Sequence, residues 1–147
     1  MYELVDGQFI MTEEYRKKKY QISIDVSGVD IEAIVVAAIE GGVGGWASLD
    51  NESSPWPNKP PGLPTSLYAT QVLVQGGTVK FFDVEDSIVF WELTLMKLLK
   101  GISQYLYSLT TSQSHSVAEI KNILDDIDCA DADVIFQYAM LEGVEYS

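Results

Sequence analysis

The most acidic stretch of the chain, residues 125–133, contains five aspartates and is the first candidate for chemistry. Carboxylate oxygens are the ligands that calcium prefers, but a calcium loop also needs a central glycine and a closing glutamate. Neither is in place, and Ala130 stands where one ligand should be. Helix capping explains part of the run without an ion, with Asp131 as the cap and Asp133 in the first turn. We therefore predict no metal site and no cofactor.

The glycine-rich segment 41–45, followed by Trp46, is the second candidate. Glycines let backbone amides approach a phosphate, and a tryptophan ring can stack on a base. The segment matches neither the P-loop, which needs a lysine after its glycines, nor the G-x-G-x-x-G dinucleotide signature. It also follows a predicted helix, so the helix dipole points the wrong way. A helix C-cap with a tight turn and a backbone contact to a ligand both stay open.

The single histidine and the single cysteine offer little for catalysis. His115 lies in a Ser/Gln-rich stretch without the partners that a general base needs, so we predict a surface residue before a helix. Carboxylates around Cys129 disfavour the reactive thiolate, which predicts a buried structural cysteine. The chain is therefore not expected to be an enzyme. The alternative is a metal-dependent enzyme that uses Asp128, Asp131 and Asp133.

Apolar periodicity divides the chain into short strands and helices. The first half predicts a strand at 20–26, a helix that Ser27 or Asp30 caps and that Gly41 and Gly42 end, a short strand from Trp46, and a helix or strand at 66–74. The second half predicts a hairpin of strands 78–82 and 88–94, helices at 94–106, 115–125 and 131–140, and an edge strand at 144–146.

These elements do not alternate as β-α-β units, so the fold class is α+β. We predict a single domain over residues 20–147, in which a small antiparallel sheet packs against three to four helices. Residues 1–19 are interpreted as a flexible N-terminal arm. Residues 50–65 contain all five prolines and predict a stiff, extended surface loop.

The net charge of −13 constrains the partners. Beyond residue 20 the chain holds five lysines and eighteen acidic residues, a field that repels nucleic acid and anionic membranes. Basic protein surfaces are the natural attractive partner, although acidity also serves solubility alone. No apolar run is long enough to span a membrane, no signal-peptide pattern is present, and one cysteine fits a reducing compartment. We predict a cytoplasmic protein.

Three stretches carry a set of motifs that occurs together. They are 30–46 (DIEAIVVAAIEGGVGGW), 76–101 (GGTVKFFDVEDSIVFWELTLMKLLKG) and 128–146 (DCADADVIFQYAMLEGVEY). In this order they resemble a family of small accessory proteins encoded by phages and prophages of bacteria. The chain departs from the family pattern where it has Gly44-Gly45-Trp46 in place of Asn-Tyr-Trp, and Leu141-Glu142-Gly143 in place of Phe-Gly-Glu. The loop at 50–65 resembles an insertion.

The resemblance implies a phage origin, a bacterial host cell and, at the level of the class, antagonism of host defence. It implies recurring polar positions at Glu40, Gly41, Gly42, Trp46, Asp83, Glu92, Asp128, Asp131, Asp133 and Gln137. If these residues converge, they form a polar pocket with an aromatic wall that suits a small ligand.

Two functions stay open. The first is counter-defence by capture of a nucleotide-derived immune signal, using Trp46, the glycine backbone and Gln137. The second is an acidic protein–protein inhibitor that occupies the basic groove of a host defence nuclease, as anti-CRISPR proteins do. Acids interleaved with aromatics at 83–92 fit this second function. A pocket shared between the subunits of a homo-oligomer is also compatible with the sequence.

Overall fold

The structure is a computed structural model that describes residues 2–5, 8–11, 22–53, 55–112, 117–141 and 143–145. Over these residues the chain forms six strands and five α-helices, which confirms the α+β class. The strands are β1 (Tyr2–Val5), β2 (Gln8–Met11), β3 (Ile22–Asp25), β4 (Ala47–Leu49), β5 (Val79–Asp83) and β6 (Phe90–Leu93). The helices are α1 (Gly28–Ala37), α2 (Thr65–Val74), α3 (Leu95–Ser112), α4 (Val117–Asp125) and α5 (Cys129–Leu141).

The first sheet joins β1, β2 and β3 in that order, with antiparallel pairing. Val5 pairs with Gln8, so only Asp6 and Gly7 separate the two strands in sequence. Asp-Gly between two short strands is a strong hairpin signal. Two paired strands therefore lie within residues 1–19, the segment interpreted as a flexible arm without the Asp-Gly signal. The basic residues 16–19 lie outside the described residues.

Helix α1 begins at a capping box that uses both predicted caps. The Ser27 hydroxyl accepts a hydrogen bond from the Asp30 N–H at 3.2 Å, and the Asp30 carboxylate accepts one from the Ser27 N–H at 3.0 Å. The helix does not end at its last α-helical residue, because a π-helical turn (Ala38–Gly42) continues it. The Val43 N–H donates to the Ala38 carbonyl at 3.0 Å and closes this wide turn.

The second sheet has the order β4-β5-β6, again antiparallel throughout, and contains the predicted hairpin. Successive side chains of a strand point to opposite faces. Val79 and Phe81 of β5 and Leu93 of β6 are fully buried, so this face lies on the core. The opposite face carries Lys80, which pairs with Glu92, and Phe82, which pairs with Phe90. We call it the outer face of the second sheet.

The core lies between this sheet and the helices. Its largest fully buried side chains are Phe81, Phe136, Ile34, Leu73, Leu93, Leu98, Leu99, Ile102, Leu106 and Ile120. Helices α3 and α5 cross closely at Gly101, where an added Cβ would lie 2.5 Å from the Ile135 carbonyl oxygen and 2.9 Å from the Ala139 Cβ. No helix among the described residues has the length and hydropathy of a membrane span.

Two further segments refine the predictions. The segment at 66–74, which fits a helix or a strand in sequence, belongs to α2. The proline-rich loop is anchored to the fold at two points. Trp56 is buried and packs edge-on against Tyr68, with the ring centroids 5.4 Å apart. The Tyr68 hydroxyl also donates a hydrogen bond to the Pro55 carbonyl. Residues 144 and 145 are not in a strand, which contradicts the predicted edge strand over its described part.

Candidate functional site

The π-helical turn packs against the first turn of α5. An added Cβ on Gly42 would lie 2.6 Å from the Cys129 carbonyl oxygen and 3.2 Å from the Asp133 nitrogen, and one on Gly41 would lie 3.0 Å from the Cys129 Sγ. The two glycines therefore allow two backbone segments to touch, and α5 occupies the space that a ligand would need. Cys129 itself is exposed, which corrects the prediction of a buried cysteine.

Trp46 does not offer a ring for stacking. Its side chain is 3% exposed, and its indole Nε1–H donates to the Asp133 carboxylate at 2.6 Å. Its ring also packs against Trp91, with the centroids 5.4 Å apart and the planes at 71°. A base could stack on Trp46 only if one face were open, so the structure contradicts the predicted stacking role of this residue.

Gln137 is fully buried and joins the same cluster. Its Nε2 donates to the Asp133 carboxylate at 3.2 Å, and its Oε1 accepts from the Glu145 N–H at 2.8 Å. We call Trp46, Asp133 and Gln137 the buried polar cluster. These hydrogen bonds satisfy buried polar groups, and they link the residue before β4 to α5 and to the C-terminal segment. The resemblance thus named residues that do converge, but they converge in the interior and not around a pocket.

Asp128 and Asp131 form a capping box at the start of α5. The Asp131 N–H donates to the Asp128 carboxylate at 2.8 Å, and the Asp128 N–H donates to the Asp131 carboxylate at 3.3 Å. Asp128 is therefore the cap, and the prediction of Asp131 as the cap was wrong by one helical turn. The hydrogen bond from the Asp131 N–H is the main reason why the pKa of Asp128 lies below its usual range.

The Tyr105 hydroxyl completes this group of residues by donating to the Asp131 carboxylate at 2.5 Å. Burial, and then the hydrogen bond to Asp131, raise the pKa of Tyr105. Tyr105 and Asp131 line a cavity of about 510 Å³ with Asn122, Ile123, Asp126 and Asp128. Among the described residues, no group of three acidic, histidine or cysteine side chains is arranged to hold a metal ion. His115 lies outside the described residues.

The other predicted site residues lie apart from the buried polar cluster. Glu40 is exposed on the π-helical turn, where its carboxylate accepts a long hydrogen bond of 3.5 Å from the Ser66 hydroxyl. Asp83 is the last residue of β5. Its carboxylate accepts a hydrogen bond from the Glu85 N–H at 2.8 Å, and this bond lies at the start of the hairpin turn. Glu92 is exposed on β6. The predicted residues therefore do not share one pocket.

The turn of the β5–β6 hairpin, residues 83–90, holds four of the eight large apolar side chains that are exposed among the described residues, and we call it the hairpin tip. Its exposed apolar side chains are Val84, Ile88, Val89 and Phe90, with Ile88 at 85% exposure. Asp83, Glu85 and Asp86 border them. On the outer face beside the tip, the Lys80 ammonium lies over the rings of Phe82 and Phe90, 5.0 and 4.2 Å from their centroids.

A second accessible feature lies between α3 and the end of α5. It is a cavity of about 460 Å³ lined by Trp91, Lys97, Lys100, Ala139, Met140, Leu141 and Glu145. None of these residues was predicted as a site residue. A signal was available in the sequence, because two lysines three residues apart share one helix face and follow Trp91 closely.

The chain thus presents two surfaces of opposite character, an acidic and apolar hairpin tip and a cavity with two lysines. Comparisons of the chain with protein-family models, with curated proteins and with solved structures found no match.

Proposed function

We propose that this chain is a non-enzymatic binding protein that docks onto a basic protein surface through its hairpin tip. The observation that carries the proposal is the run of exposed apolar side chains at Val84, Ile88, Val89 and Phe90. Contiguous exposed apolar groups with a polar border are typical of protein interaction sites. The border here is acidic, so the complementary partner surface is basic and has apolar side chains at its centre.

The hairpin tip is held in shape by its own hydrogen bonds. The carboxylates of Asp83 and Asp86 accept from the N–H groups of Glu85 and Ile88 at 2.8 and 3.1 Å, and the Val89 N–H donates to the Asp86 carbonyl at 2.9 Å. A loop fixed in this way loses little conformational entropy when it binds. The apolar side chains are therefore presented on a preorganised support.

Charge favours the same kind of partner. Several lysines are already engaged within the chain, because Lys59 donates to the Leu63 carbonyl, Lys80 covers two aromatic rings, and Lys121 pairs with Asp30. The net charge of −13 is the excess of 22 carboxylates over nine basic side chains. Such a field speeds encounter with a basic partner and weakens as salt rises.

The proposal places the partner among host defence nucleases, whose basic grooves bind nucleic acid, and the protein in the cytoplasm of a bacterial host. The resemblance to phage accessory proteins supports this choice of partner. Capture of a nucleotide at the residues named from the sequence is less well supported, because Trp46 and Gln137 are buried. Of the two functions that the sequence leaves open, the acidic inhibitor is the one that the hairpin tip fits.

The test is inhibition of DNA cleavage by a panel of purified CRISPR effector nucleases, with binding measured by biolayer interferometry. We expect affinity to fall steeply between about 50 and about 300 mM NaCl. The double variant Ile88→Ser, Phe90→Ser should weaken binding by more than about tenfold, since apolar anchors dominate such interfaces. The matched control is Val74→Ser, because Val74 is also an exposed valine but lies at the end of α2. Inhibition that the double variant leaves unchanged, or binding to no nuclease of the panel, would overturn the proposal.

A further inference from the structure

The cavity between α3 and α5 has the size of a small-ligand site. Its volume of about 460 Å³ lies within the range of roughly 300–1,000 Å³ that such sites occupy. One of its lining residues, Ala139, packs closely against α3, because a Cβ added to Gly101 would lie 2.9 Å from the Ala139 Cβ. Six of the seven lining residues lie on β6, α3 and α5, and Glu145 lies in the segment that follows α5.

Two cations face this cavity in a chain that is otherwise strongly acidic. Lys97 and Lys100 lie one helical turn apart on α3, so their side chains share one face. The Lys97 ammonium donates to the Glu92 carbonyl oxygen at 2.8 Å, which fixes it beside the end of β6. An ammonium group has three N–H donors, so this bond leaves two for an anion. Paired ammonium groups at this spacing suit a phosphate.

Trp91 supplies an aromatic wall beside the two lysines. Its ring is held edge-on by Trp46, which the hydrogen bond to Asp133 fixes in turn. The backbone of another lining residue is also held, because the Glu145 N–H donates to the Gln137 Oε1 at 2.8 Å. The buried polar cluster therefore positions two walls of the cavity, and Trp46 and Gln137 act as positioning residues.

From these walls we infer that the cavity binds a small phosphate-bearing ligand with a planar ring, of the nucleotide class. Lys97 and Lys100 bind the phosphate, Trp91 packs against the ring, and the Glu145 carboxylate accepts from amino or hydroxyl groups of the ligand. This inference does not rest on the proposed function, because the hairpin tip and the cavity are different surfaces. Two lysines near the C-terminal end of α5 also offset the negative end of its dipole. This interaction with the helix dipole predicts that replacing either lysine changes the stability of the protein even when no ligand is bound.

The test is isothermal titration calorimetry with three probes, namely AMP, adenosine and inorganic phosphate. We expect AMP to bind most tightly, since it alone engages both the lysines and Trp91. Lys97→Gln and, separately, Lys100→Gln should each weaken AMP binding by about tenfold, equivalent to about 1.4 kcal/mol, and should leave adenosine binding unchanged. Trp91→Leu should weaken the binding of AMP and of adenosine alike.

The charge-matched control is Lys80→Gln, because Lys80 lies on the outer face of the second sheet and not in the cavity. Equal weakening of AMP binding by this control would mean that net charge alone is responsible, and would overturn the inference. No heat with AMP at millimolar concentration, or equal affinity for AMP and inorganic phosphate, would overturn it as well. The variant Ile88→Ser, Phe90→Ser should bind AMP normally, which separates this test from that of the proposed function.

Discussion

The buried polar cluster and the hairpin tip lie at the two ends of one hydrogen bond, from the Val84 N–H to the Trp46 carbonyl at 3.1 Å. They invert the usual placement of residue types. In the cluster, a buried indole and a buried amide both donate to the half-buried Asp133 carboxylate. In the tip, four apolar side chains face solvent. The polar residues of the cluster are therefore bound within the fold, whereas the apolar residues of the tip are left exposed to solvent.

The largest expected effect within either of these two regions follows from removing the shared acceptor of the buried polar cluster. Asp133→Ala takes one hydrogen-bond acceptor from Trp46 and from Gln137, each of which is buried. Depriving a buried donor of its acceptor costs about 1–3 kcal/mol, so we expect a loss of roughly 3 kcal/mol in the free energy of unfolding, measured in urea. The control Glu85→Ala, an exposed acid of the hairpin tip, should change it by less than about 0.5 kcal/mol. Equal losses for both variants would mean that the shared acceptor of the buried polar cluster contributes no more to stability than an exposed acid of the hairpin tip.

The second effect concerns the contact that brings the cluster together. Gly42→Ala places a methyl group 2.6 Å from the Cys129 carbonyl oxygen, which forces the π-helical turn away from α5. Overpacking of this kind costs about 1–3 kcal/mol. Gly44→Ala is the matched control, since an added Cβ there meets nothing within 4 Å. Thermal unfolding of both variants should show a lower Tm for the first alone. An unchanged Tm for Gly42→Ala would mean that this contact is not needed.

Local signals in the sequence predicted the fold better than the site. The cap formed by Ser27 and Asp30 and the β5–β6 hairpin are encoded within a few residues, so residue order alone identifies them. The bond between Trp46 and Asp133 joins residues 87 positions apart. A single sequence holds no record of which distant polar groups meet. The sequence therefore suggests Trp46 as a ligand residue, whereas in the structure its indole is hydrogen-bonded to Asp133 of α5.

The third prediction concerns the ion pair that ties α4 to α1. The Lys121 ammonium lies 3.1 Å from the Asp30 carboxylate and 3.3 Å from that of Asp125. Burial alone would raise the pKa of Asp30, but the hydrogen bonds from the Ser27 N–H and from Lys121 outweigh it, so the pKa is lowered from 3.8. Burial alone would lower the pKa of Lys121, but its bonds to Asp30 and Asp125 outweigh it, so the pKa is raised from 10.5.

The two shifts define a pH window. A carboxylate with a lowered pKa stabilises the fold above its unfolded pKa of 3.8 and loses that effect as the pH falls through the folded value. An ammonium with a raised pKa stabilises it below 10.5 and loses that effect as the pH rises through the folded value. Lys121→Met should therefore cost about 1 kcal/mol near pH 7, a value kept small by the partial exposure of the lysine, and less below pH 3.8.

Urea unfolding at several pH values measures this difference. The control Asp125→Asn removes only the exposed partner and should cost about 0.3–0.5 kcal/mol. If the cost of Lys121→Met did not fall in acid, the ion pair would not be its source. The result would sharpen the comparison, because it sets the stability contribution of a half-buried charge pair beside that of the hydrogen bonds in the buried polar cluster.

The smallest expected effect on stability is at the hairpin tip, and it is the most informative about function. Ile88 is 85% exposed and Ile120 is fully buried, so the same substitution tests both environments. Ile120→Ser should cost several kcal/mol, about 3 or more, through lost burial and an unpaired hydroxyl. Ile88→Ser should change the free energy of unfolding by less than about 0.5 kcal/mol. A marked loss at Ile88 would show that the tip supports the fold. No loss would leave an exposed isoleucine that the fold does not need, which is the property expected of a residue kept for a partner.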